Sequence, residues 1–433
     1  MYPATLAFCG ALGIEALDIA SLAVSVFQLV VVPIENGLRW SCLTFLSQAL
    51  GSSKKKRAGV IVQRSITAAV CMWIVSCGLA VNCAKLLVLI GQDAEIAIGS
   101  QTFITILMPG YGVHGLPATG VPTLFMHLVS LLVCLGLEAL FVFQLGLGVN
   151  GAALGLCCSL CLLPVMMTSY IVISKVHKDT WPGWSMRCFL QWGEYYYNLF
   201  PSIANQLVFV SSSEMGTFVA GYLGKAELAA QGIIFQLFIL TMQPCVGAGS
   251  AAITRIGRYM GAANYVKGKQ VYKVILALLG FIGLIEALLM LALKDVIPKI
   301  FSADEETTEI FSQIIYFVIP YVFVIASAWG HIAALRGCNF HNTCVVIALV
   351  ALWFIGHPIG LSLTFAVGIG MLGLWSGYLI SSVAWNILGL VITLRLDWTG
   401  VSKKVSGSAE RETDVEGFIT HDETRRELLL AAF

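Results

Sequence analysis

The stretch "FVSSSEMGTFVAGYLG" at 209–224 holds one charged residue, Glu214, in a run from Leu199 to Leu223 that is otherwise uncharged. Beside it Ser202, Gln206, Ser213 and Thr217 recur at steps of 4, 7 and 4, along one side of a helix that Glu214 borders. Asn198 and Asn205 add polar groups seven residues apart, and Gln231, Gln236 and Gln243 follow on the next segment. A carboxylate withdrawn from water takes up a proton more readily, and in its ionised form it attracts an organic cation. One group serving both ligands would couple them by competition, which is the chemistry of exchange. The alternative is a buried carboxylate hydrogen-bonded for packing.

Other charges lie in apolar surroundings. Glu35 and Arg39, in "PIENGLRWSC", have i,i+4 spacing, so they share a helix face and can pair, either structurally or on a transport path. Glu138 in "LGLEALFVF" and Glu286 in "GLIEALLM" have no local partner; each could face a cavity, reach toward the membrane surface or carry a proton. The histidines, His331, His341 and His357 among them, are expected to be structural, and "GHPIG" at 356–360 marks a helix break. The 13 cysteines, mostly inside apolar runs, read as small buried hydrophobes. No phosphate-binding P-loop, HExxH or Ser/His/Asp arrangement is present, which argues against an enzyme, a bound cofactor or direct ATP drive.

The elements that must position these groups follow from composition. The chain has 433 residues, 58% hydrophobic and only 11% charged, with mean hydropathy +0.86. A soluble domain carries about 25% charged residues, so lipid must cover this one: the expectation is an all-α, polytopic membrane protein. Net charge is +1, with no basic domain for nucleic acid. Spanning a bilayer takes about 20 apolar residues. Segments near 17–50, 58–90, 119–146, 150–174, 195–222, 229–254, 271–297, 309–335, 343–367 and 371–395 qualify. Residues 1–12 are too short to cross, and 96–117 carry Pro109, Gly110, Gly112, Gly115 and Pro117, expected to break a helix.

Charge alternates between the loops. Lys54 to Arg57, Lys175 with Lys178 and Arg187, the cluster from Arg255 to Lys273, Arg336, and Arg395 with Lys403 and Lys404 are basic; "GQDAE" at 91–95 and "SADEE" at 302–306 are acidic. The positive-inside rule puts the basic loops and the C-terminus in the cytoplasm. Residues 406–425 are expected to be disordered, and "RRELLLAAF" to form a short amphipathic helix.

An internal repeat runs through the chain. Gly10, Leu12, Gly13 and Leu17 recur 211 residues later as Gly221, Leu223, Gly224 and Leu228; Pro33, Asp93 and Pro109 recur as Pro244, Asp304 and Pro320. Gly51 matches Gly261 at an offset of 210, and Gly148 and Gly151 match Gly370 and Gly373 at 222. The first half therefore lacks eleven residues, the difference between 222 and 211, near its fourth segment. Two six-helix bundles related by pseudo-two-fold symmetry follow, about twelve helices with the first incomplete. Their expected bounds are 1–177 and 191–400, with a cytoplasmic linker at 178–190 and a polar tail at 401–433. Secondary transporters often use such repeats, with the substrate site near the midplane.

"GALGIEALDIASLAVSVF", "GLRWSCLTFLSQALGSSKKKRAGVIVQRS", "VNGAALG", "EMGTFVAGYLGKAELAAQ", "RIGRYMGAAN" and "LRGCN" resemble, in order, segments of the multidrug and toxin extrusion (MATE) family, eukaryotic branch. The resemblance covers roughly 1–400. It implies a monomeric antiporter in the lipid bilayer that exports organic cations, xenobiotics or small metabolites in exchange for protons or sodium. The membrane would be the plasma membrane or an endomembrane such as the vacuole's. Glu214 falls on a family acid of the seventh helix. Phe209, Gln236, Ile325 and Leu43 stand where relatives carry further acids. The residues singled out for substrate or proton binding are thus Glu214, Gln206, Ser213, Gln236 and Glu138. The alternatives are a truncated, transport-inactive product, with most of helix 1 and part of helix 4 missing, and a flippase-like carrier of lipid-linked cargo.

Overall fold

Long apolar runs satisfy their backbone hydrogen bonds internally, and in lipid the α-helix is the form that does so within one segment. The structure, a computed structural model, describes residues 1–53, 55–89, 91–114, 121–175, 177–181, 183–190, 192–298 and 305–407. Among these residues every regular element is helical. The first half runs α1 Tyr2–Leu12, α2 Ile14–Val30, α3 Val32–Gly51, α4 Arg57–Leu89, α5 Ala94–His114, α6 Val121–Ala139 and α7 Gly148–Ile173. A short α8, His177–Thr180, leads to α9 Trp192–Leu223, α10 Lys225–Gly261, α11 Tyr265–Leu293, α12 Glu305–Gly337, α13 His341–Ala348, α14 His357–Leu361 and α15 Met371–Arg395. Among the described residues nine helices are long and apolar enough to cross a membrane, α2 and α3 together forming one of 38 residues. The disorder expected over 406–425 is corrected at Ser406 and Gly407, which are helical; the rest of that segment, the terminal amphipathic helix, and Gly115, Pro117 and Asp304 lie outside the described residues.

The chain forms two compact units, Met1–Cys42 with Gly59–Ser211, and Leu43–Ala58 with Ser212–Phe433. In the first unit Phe27, Phe103, Ile104, Leu107 and Leu156 are fully buried where α2, α5 and α7 meet. The expectation that 96–117 would break is corrected as far as His114: α5 runs unbroken for 21 residues with Pro109 inside it. The glycines serve packing instead. A side chain at Gly110 would meet the Cys157 carbonyl and Leu160 Cβ, both at 3.0 Å, and one at Gly112 would strike the Trp73 ring. Trp73 Nε1 donates to the Met108 carbonyl at 2.8 Å, bracing the turn beside the proline.

In the second unit α12 packs against α10, α11 and α15. The Tyr272 hydroxyl joins them, hydrogen-bonded to His331 Nδ1 at 3.0 Å and Thr393 Oγ1 at 2.7 Å. The end of α3 crosses α10 through reciprocal contacts: a side chain at Gly51 would collide with the Arg258 backbone, and one at Gly261 with the Gln48 backbone. The break expected at "GHPIG" is also corrected. The helix continues from 341 to 366, with π-helical turns at Leu349–Gly356 and Ser362–Ala366 on either side of α14, so widened turns accommodate Pro358.

The repeat is visible in the backbone. The π-turn Leu140–Gln144 after α6 recurs as Ser362–Ala366, 222 residues on. Gly146 and Gly148, with φ of 65° and 56°, recur as Gly368 and Gly370, with φ of 79° and 57°. That left-handed region admits glycine at little cost, which explains their paired occurrence.

Candidate functional site

Polar groups gather inside each unit. In the second, α9 presents Ser212, whose Oγ lies 2.8 Å from His357 Nε2 and whose carbonyl accepts from the Tyr378 hydroxyl at 2.8 Å. Gly216, one turn further, has no side chain to displace that hydroxyl. Trp375 Nε1 donates to Gln231 Oε1 at 2.9 Å. Tyr321 stands edge-on to Trp375, with centroids 5.7 Å apart, and Trp375 lies 5.3 Å from Tyr378. Glu214 is half-buried and lies two residues from both Ser212 and Gly216, so it leaves α9 on the face turned away from the Tyr378 hydroxyl. Aromatic faces attract a cation, so the cluster has the chemistry to hold one.

Of the residues singled out from the sequence, Ser213 and Glu214 fall at this cluster's helix and are half-buried. Gln231 is buried in the cluster, whereas Gln236 is exposed and Gln243 is exposed and bonded back to its own helix, Ile239, at 3.1 Å. The three glutamines therefore do not line one space, because the step of 5 turns Gln236 about 140° from Gln231 and the step of 7 leaves Gln243 beside Gln236. Ile325 and Leu43 are buried, and Phe209 is half-buried. The sequence does not mark Tyr321, Trp375 or Tyr378, and His357 reads only as structural, since such rings in apolar helices resemble ordinary core. The "GLW" at 373–375 and the histidine beside Pro358 were the available signals.

In the first unit Glu138 is fully buried. Its Oε1 accepts from Thr5 Oγ1 at 2.5 Å and, weakly, from Cys134 Sγ at 3.5 Å, while its Oε2 is buried with no hydrogen-bond partner among the described residues. Gly155 lets α7 approach the acid. Glu35 and Arg39 form the ion pair their spacing allows, 3.6 Å apart. Gln206 is half-buried on α9, near the buried Ser202, which donates to the Asn198 carbonyl at 2.8 Å. Glu286, in the second unit, is buried with Cys245 Sγ 3.7 Å from Oε2.

Repeated apolar spanning helices that enclose sparse polar clusters define a multi-pass membrane transport protein. The MatE family model matches residues 1–120 and 201–378, and the chain belongs to that family of multidrug and toxin extrusion transporters. It is 30% identical over 407 residues to multidrug and toxin extrusion protein 2 of Mus musculus, covering 92% of this chain and 71% of that protein. Multidrug and toxin extrusion protein 1 of Homo sapiens is 30% identical over 411 residues, covering 90% of this chain and 70% of its own length. The crystal structure of the eukaryotic MATE transporter AtDTX14 superposes with a TM-score of 0.85 at 22% identity, covering 95% of this chain and 94% of that one. The bent form of the MATE transporter VcmN from Vibrio cholerae superposes at 0.74 with 19% identity, over 95% of this chain and 93% of that one.

Proposed function

We propose that this transporter is a secondary active antiporter that exports organic cations, xenobiotics or small metabolites in exchange for protons or sodium, with Glu214 as the group for which substrate and coupling ion compete. The observation that carries this reading is a half-buried carboxylate, Glu214, on α9, the helix whose other face meets the aromatic cluster of Tyr321, Trp375 and Tyr378 inside one unit. Similarity to proteins named for multidrug and toxin extrusion supports the cargo class. Ser213 would supply a further hydrogen bond on the same helix, and Glu138 a second buried proton-binding position. The same reading has a monomer of two six-helix bundles, 1–177 and 191–400, joined by a cytoplasmic linker at 178–190. Its C-terminal tail, 401–433, would be cytoplasmic, in the plasma membrane or an endomembrane.

The test is movement of a fluorescent organic cation into proteoliposomes under an imposed proton or sodium gradient. Wild-type protein should show gradient-driven transport, and Glu214→Gln should lose its dependence on the coupling gradient. Coupling unaffected by that substitution would sink the role of Glu214. A wild-type signal equal to that of empty vesicles would point to an inactive product.

A further inference from the structure

We infer that Glu35 and Arg39, with Tyr2 and Tyr111, form a second binding site in the first unit, one that takes a small zwitterion carrying a carboxylate and an amine; this rests on the reading of the chain as an exporter of small organic molecules. The first observation is depth. Arg39 and Glu35 stand 12 and 16 residues before Gly51, the last residue of α3, where the basic loop begins. At about 1.5 Å per residue that is roughly 18 and 24 Å from the end of the helix. Yet the Arg39 side chain is 41% exposed, against 10% for Glu35. The guanidinium is thus accessible while its carboxylate partner is held in the protein.

The second observation is orientation. Gly37 lies on the opposite face of α3, pressed against the backbone of Ile203, which α9 provides. The charged face is thereby turned away from Ile203. The hydroxyls of Tyr2 and Tyr111 are hydrogen-bonded to each other, both interact electrostatically with Glu35, and Tyr111 does so with Arg39 as well. Phe27 backs Tyr111 with ring centroids 4.2 Å apart. A fixed positive fork, a fixed carboxylate one helical turn away and a pair of hydroxyls make a dipolar receptor. The guanidinium fork suits a carboxylate, which it can bind with two parallel hydrogen bonds. Glu35 suits the ammonium. A simple cation gains little here, because Arg39 repels it as Glu35 attracts it; it has the carboxylate and aromatic cluster of the second unit instead.

Dansylcadaverine and Nε-dansyl-lysine test this cleanly, since they differ only by the α-carboxylate. Binding to the purified full chain is read by dansyl fluorescence and anisotropy, so it is measured whether or not transport is gradient-driven. Arg39→Gln should weaken dansyl-lysine about tenfold or more and leave dansylcadaverine within about twofold, the change expected when one bidentate charged contact is lost. Arg39→Lys should fall between, having the charge without the fork. Equal weakening of both probes, no weakening of dansyl-lysine, or a wild-type protein that does not bind dansyl-lysine each overturns the proposal. Unchanged dansylcadaverine binding shows that the variant is folded. Failure of the antiporter reading is a different result, namely no gradient-driven movement of dansylcadaverine by wild type.

Discussion

Tyr378 is the residue at which packing and site chemistry can be separated. Its ring is buried against Tyr321, Trp375 and His357, and its hydroxyl donates to the Ser212 carbonyl at 2.8 Å. Tyr378→Phe removes the hydroxyl and keeps the ring. A neutral hydrogen bond contributes about 0.5–1.5 kcal/mol net, and the acceptor, a helix carbonyl, retains its place in the main-chain ladder. Tyr378→Ala also removes the ring and leaves a cavity between α9 and α15, a loss of about 3–5 kcal/mol. For a unit of this size each kcal/mol corresponds to about 2–4 °C in Tm. Thermal melting in detergent, followed by tryptophan fluorescence, should therefore separate the two variants clearly, with the alanine at least about 6 °C below wild type. In vesicle transport, a phenylalanine variant that melts like wild type but loses cation uptake would identify the hydroxyl as part of the site. The reasoning fails if phenylalanine destabilises as much as alanine, or if alanine melts within about 2 °C of wild type.

Two further expectations concern the frame. Gly51→Ala and Gly261→Ala each place a methyl against main chain that cannot swing aside. Each should cost about 1–3 kcal/mol, and because the contacts are reciprocal the two melting shifts should agree within about twofold. In the first unit, Glu138→Gln keeps the acceptor for Thr5 and should change stability by less than about 1 kcal/mol. Thr5→Val strips a buried carboxyl of its main donor and should cost about 1–3 kcal/mol, read by the same melting experiment; the reverse order would contradict the geometry at Glu138.

The spans were legible because few charged residues interrupt the apolar runs, and the last predicted segment, 371–395, coincides with α15. Breaks were harder to read. Pro109 and Pro358 sit in helices that continue, since neighbours brace one turn and π-turns widen the other. A proline signals a missing donor, and only tertiary structure shows whether something else takes its place. Glu214 was legible as a charge in an apolar helix. The aromatic cluster of the same unit was not, because more than 100 residues of chain separate Tyr321, Trp375 and Tyr378 from Glu214, and their residue types also fill ordinary cores.

The duplication sharpens where function-bearing differences lie. Counting by the repeat, Thr5, Glu138 and Gly155 of the first unit correspond to Gly216, Gly360 and Gly377 of the second. In the first unit Gly155 makes room for the Glu138 carboxyl, which Thr5 holds. At the matching place in the second unit Gly360 and Gly377 bring the two helix backbones together, and Gly216 yields its space to the Tyr378 hydroxyl. One backbone plan thus carries a buried acid in one copy and an aromatic hydroxyl in the other. Geometry common to both copies reports what the fold requires, such as the paired glycines at 146, 148, 368 and 370. Chemistry present in only one copy is free of that requirement. The acids and aromatics confined to one unit are therefore the positions at which a conservative substitution, such as Tyr378→Phe or Glu138→Gln, should alter ligand preference while leaving the helices in place.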